Sequence, residues 1–101
     1  MRTKQNRNAA KIPASGGDVF SDLGFSPERA TALRLRSEAL RALDRWIRQR
    51  GLTQEAAAKL LGTTQARISN IKRGRINQFS LDILVIFAVR AGLHPQLKIA
   101  A

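Results

Sequence analysis

Residues 52–74, LTQEAAAKLLGTTQARISNIKRG, constrain the fold more than any other part of the chain. Thr53 stands where a helix N-cap belongs, and Ala57, Leu60 and Leu61 fall on one side of the segment Gln54–Leu61. Gly62 follows, where a tight turn with positive φ costs least. Thr64 then offers a second cap for a helix over Gln65–Arg73, with Ile68 and Ile71 turned inward and Gly74 as its C′ residue. Apolar side chains at Leu52, Ala57, Leu61, Ile68 and Ile71 lie where two short crossed helices must touch. Such a pair cannot bury its inner faces alone, so the flanking segments have to complete the core.

Upstream, Ser26-Pro27-Glu28 reads as N-cap, N1 and acidic first turn of a helix running to about Gln49, ended by Gly51. Leu35, Ala39, Leu40, Ala42, Leu43, Trp46 and Ile47 cover about half its circumference. Arg34, Arg41, Arg45 and Arg48 form a stripe about 60° wide on the other side. That stripe fits a solvated face or a surface for a partner. Downstream, Ser80 caps a helix to about Ala91, stopped by Gly92. Ile83, Leu84, Val85, Ile86, Phe87 and Val89 make it apolar nearly all round, and such a helix needs cover on every side. A second subunit can supply it, as can residues 18–25 or the C-terminal segment. The last stretch, LHPQLKI, alternates with Leu93, Leu97 and Ile99 on one side, a period that predicts a short β-strand. Residues 80–101 are therefore expected to dimerise the chain through Ile83, Ile86, Phe87, Val89, Leu97 and Ile99. Residues 1–17 lack apolar periodicity and are expected to form a disordered basic tail, with the folded domain over 18–101. The expected fold class is mainly α: four or five helices and the short terminal strand.

The net charge of +11 favours a polyanion as partner. Its distribution says more. Residues 67–75 hold Arg67, Lys72, Arg73 and Arg75, and no acid occurs between Glu55 and Asp82. Gln65, Ala66, Ser69, Asn70 and Arg73 lie within about 140° on the outer face of the third helix. Gln and Asn can bond adenine edges in pairs, a small Ala admits a thymine methyl, and Arg can reach guanine. This is base-reading chemistry for double-stranded DNA. Residues 12–27 carry only acids, Asp18 and Asp22, and include the short amphipathic piece DVFSDLGF. Its Val19, Phe20, Leu23 and Phe25 either cover the core or dock a partner protein. With one His, no Cys and no Tyr, the chain lacks a convergent nucleophile, base and orienting group. No enzyme activity, cofactor, metal or small-molecule substrate is expected. Leu81–Val89 is too short to span a bilayer, and the basic N-terminus lacks the apolar run of a secretory leader, so a cytoplasmic location with no membrane partner is expected.

The string LTQEAAAKLLGTTQARISNIKRG resembles the helix–turn–helix of the XRE family of phage-repressor-like regulators. Over about 18–101 the chain is also similar to the XRE antitoxins of HigA type, which neutralise RelE-like ribonuclease toxins. DVFSDLGF, RGLTQ at 50–54, RGRINQFSLD at 73–82 and the terminal segment carry that likeness. The resemblance implies a bacterial protein, found on the nucleoid when bound to DNA. It places Gln54 and Thr64 on phosphates, Gln65, Ala66 and Asn70 on base edges, and Arg67, Lys72, Arg73 and Arg75 on backbone or groove. It implies either the antitoxin of a HigBA-like toxin–antitoxin pair or a stand-alone XRE repressor. One departure stands out: the family tends to place polar residues on the outer side of the fourth helix, where this chain has Ile83, Ile86 and Val89.

Overall fold

The computed structural model describes residues 19–101, and the expected basic tail over 1–17 lies outside the described residues. Five α-helices follow in order: α1 (Val19–Asp22), α2 (Pro27–Gln49), α3 (Gln54–Leu61), α4 (Gln65–Lys72) and α5 (Leu81–Arg90), with a 3₁₀ turn at Ile76–Gln78. The four longer helices start on a Ser or Thr whose hydroxyl oxygen accepts a backbone N–H three residues on. Ser26 accepts from Arg29 at 3.2 Å, Thr53 from Ala56 at 3.0 Å, Thr64 from Arg67 at 3.1 Å and Ser80 from Ile83 at 3.2 Å. Each cap contributes on the order of 1 kcal/mol by satisfying an N–H the helix leaves unpaired.

The long α2 is the spine of the core, and its packing against α5 is the largest helix contact among the described residues. Ala30, Leu33, Leu40, Leu43, Trp46 and Ile47 of α2 are buried, together with Ala57, Ala58 and Leu61 of α3 and Ile68 and Ile71 of α4. Leu60, expected to face inward, is half exposed because Ala58 shares the buried face with Ala57 and Leu61 and turns Leu60 to the edge. Phe20 is 2 % exposed and meets Phe25 edge-on at 6.3 Å, so α1 is part of the core. Burying a side chain of that size contributes about 1.5–3 kcal/mol. Leu35, Ala39 and Ala42, from the apolar half of α2, line a groove of about 570 Å³ with Leu81, Leu84, Val85, Ala88 and the segment 93–97, and Ala39 also packs against the core.

The C-terminal β-strand does not form, and no strand occurs among the described residues. After α5 the backbone closes the helix with Ala91 N–H on the Phe87 carbonyl at 2.9 Å, Gly92 N–H on the Val89 carbonyl at 3.0 Å and Leu93 N–H on the Ala88 carbonyl at 2.9 Å, and then runs on without regular structure. An alternating pattern becomes a strand only beside a second strand that supplies the ladder, and the other regular elements among the described residues are helical. Pro95 also removes one donor. Leu97 and Ile99 are left exposed.

Candidate nucleic-acid interface

α3 and α4 pack on one another across the three residues 62–64. The turn is built from backbone bonds: Gly62 N–H donates to the Lys59 carbonyl at 3.3 Å, and Thr63 N–H to the Ala58 carbonyl at 2.9 Å. Gly62 holds φ +69°, a conformation that a residue with a Cβ rarely adopts. α4 closes the same way, with Gly74 N–H on the Ile71 carbonyl at 3.0 Å and Arg75 N–H on the Asn70 carbonyl at 3.1 Å.

With Ile68 and Ile71 fully buried, the opposite side of α4 faces out. Gln65, Ala66 and Arg73 are exposed, and Ser69 and Asn70 are half-buried at the edges of the same face. The hydroxyl of Thr64 accepts the Arg67 N–H and so keeps its own proton to donate. Gln54 is exposed at the first position of α3, where unpaired N–H groups and the positive end of the helix dipole favour an anion. Lys72 and Arg75 are exposed at the far end of α4. These residues carry amide, hydroxyl and cationic donors, and the acid beside them is Glu55, exposed next to Gln54 in the first turn of α3.

A family model described as Helix-turn-helix domain matches residues 19–100. The chain belongs to that family. It is a DNA-binding helix-turn-helix regulator of the XRE type, and domains of this kind are non-catalytic. No curated protein matches the chain. No described helix is long and apolar enough to cross a membrane, and no three His, Cys, Asp or Glu among the described residues are placed to hold a metal.

Within this helix-turn-helix domain several expected site residues fall elsewhere. Arg67 is half-buried, with its guanidinium carbon 4.9 Å from the centre of the Phe79 ring. That stacking joins α4 to the loop before α5, a role no local pattern in the sequence announces. Phe87, expected between subunits, is 2 % exposed and meets Phe79 edge-on at 6.5 Å inside the protomer. Ile83 is half-buried against the same core, while Ile86 and Val89 are exposed. Phe20 and Val19 pack on the core, leaving Leu23 and Phe25 as the exposed members of the first apolar piece. Two members of the arginine stripe on α2 are paired: Arg34 with Glu38 at 3.3 Å and Arg48 with Asp44 at 3.0 Å. Arg90, which no local pattern singles out, donates from Nη1 to the Leu61 carbonyl at 2.8 Å, beside the turn itself.

Proposed function

We propose that the chain is a sequence-specific transcriptional regulator that binds a palindromic operator as a homodimer, each protomer laying α4 in the major groove of one half-site. The exposed, acid-free face of α4 carries this reading, because its donors and acceptors match base edges and its cations match phosphate. Gln65, Ala66, Ser69, Asn70 and Arg73 read bases; Gln54, Thr64, Lys72 and Arg75 hold the backbone, and Arg67 does so only with the edge of a guanidinium already stacked on Phe79. Base and backbone contacts separate in an experiment. Gln65→Ala or Asn70→Ala should cost about 1–3 kcal/mol on an operator selected by the wild-type chain and relax preference at one position. Lys72→Ala should weaken all duplexes alike and lower the salt slope by about 1. Identical behaviour of the two classes in a binding assay over randomised duplexes would overturn the assignment.

The dimer reading rests on α5. Val85, Ile86 and Val89 are exposed on it, Val89 at 60 %, and Val85 lines the groove against α2 together with the exposed Leu97. A protomer that shows this much apolar surface on one helix is suited to an isologous contact. Ile86→Asp should yield a folded monomer in sedimentation; an unchanged dimer would remove α5 from the interface.

A second reading extends the first: the regulator is the antitoxin of a RelE-like toxin. Leu23 and Phe25, 42 % and 38 % exposed, favour it as an apolar pair flanked by Asp22 and Glu28 in a chain that is otherwise strongly basic. Leu23→Asp with Phe25→Ser spares the buried Phe20, so it should keep the fold and DNA binding while abolishing rescue from the toxin encoded beside it. Full rescue would place the docking site elsewhere and leave a stand-alone repressor.

A further inference from the structure

We propose that Arg90 is a positioning residue for operator spacing: its bond to the Leu61 carbonyl fixes the turn between α3 and α4 to α5, and so sets the two reading helices of a dimer relative to each other. This rests on the dimer reading above.

Residues 61 and 90 are 29 positions apart in sequence, yet the guanidinium of Arg90 sits on the last carbonyl of α3 at 2.8 Å. The turn bonds of Gly62 and Thr63 occupy the Lys59 and Ala58 carbonyls and leave that of Leu61 over, at the negative end of the α3 dipole. A guanidinium suits it in both charge and geometry. The fit is close. A Cβ added at Gly62 would lie 2.9 Å from Arg90 Nη1, so the turn and the side chain share one space. Arg90 follows Val89, the most exposed apolar residue of α5. One end of α5 therefore carries the surface offered to a second copy and, one residue on, the link to the turn that aims α4.

A second tie lies along the Arg67–Phe79–Phe87 stack, which joins α4 to the middle of α5 at 4.9 and 6.5 Å. Without Arg90, the α3–α4 unit keeps the aromatic stack and the buried contacts of Ala57, Leu61, Ile68 and Ile71, and its turn gains freedom relative to the end of α5 where that bond held it. A single base pair added between half-sites turns one of them by roughly 35° and moves it about 3.4 Å, so that freedom reads out as tolerance of spacing.

The test uses the full-length chain and palindromic duplexes that the wild type selects from a random pool. The same half-sites are then separated by one base pair more or fewer. Wild type should lose about tenfold or more on each altered spacing. Arg90→Met should compress that ratio to within about threefold, with isolated half-site binding near wild type. Arg90→Lys, which keeps one donor for the Leu61 carbonyl, should fall between. Arg90→Leu, which also removes every donor to the Leu61 carbonyl, should compress the ratio as Arg90→Met does, and it serves as the readout if Arg90→Met does not fold. A purely structural arginine would lower affinity for every duplex by one factor and keep the wild-type ratio; that result, or no change at all, overturns the proposal. A wild type that selects no paired half-sites overturns the dimer reading itself, and this proposal with it.

Discussion

Raising salt from about 100 to about 200 mM should weaken binding to the selected operator by about two to three orders of magnitude, if each protomer neutralises about 4–6 phosphates. A plot of log K against log salt should then fall with a slope near −7 to −11. The structure indicates which cations enter that count. Lys72, Arg73 and Arg75 are exposed at the end of α4 with no acid nearby in sequence, whereas Arg34 and Arg48 already face Glu38 and Asp44. Charge held by a carboxylate releases few counterions, so the gross count of 18 basic residues overstates the contact. A slope flatter than about −3 would be too weak for a dimer gripping two half-sites.

The second large effect concerns two neighbours on α5. Phe87→Ala should destabilise the protomer by about 3–5 kcal/mol, a large share of the ~5–15 kcal/mol that holds a domain together. It removes a fully enclosed ring and strips the Phe79 side of the Arg67 stack. Ile86→Asp, one residue earlier and 43 % exposed, should leave protomer stability within about 0.5 kcal/mol and act on association alone. Thermal melts at high and low protein concentration separate the two. Equal destabilisation by both variants would mean that Ile86 is as enclosed as Phe87.

These neighbours show where sequence reading stopped. The helix starts were legible because a Ser or Thr cap and its N–H partner lie three residues apart, and so was the glycine turn between α3 and α4. The outward face of α4 was legible too, since Ile68 and Ile71 fix which side goes in. What failed depends on distant partners. Phe87 reads as one more apolar residue on an all-apolar helix until Phe79, eight residues earlier, closes over it. Leu97 and Ile99 alternate as a strand would, yet nothing among the described residues offers them a ladder. Phe20 shares a short apolar run with Leu23 and Phe25, and only the packing against α2 tells the buried ring from the exposed pair. The Arg90 link spans 29 residues and leaves no trace in local pattern.

Gln65, Ala66 and Arg73 project from α4 on the side away from Ile68 and Ile71, and their side chains are absent from the buried core. Exchanging them should shift stability by no more than about 0.5 kcal/mol, the usual range for surface positions. Recognition and folding are thus written in separate letters of one short helix and its C-cap. A lineage carrying this scaffold can drift to a new operator through substitutions that selection on folding does not see, and duplicated copies can part company on the genome while remaining superimposable.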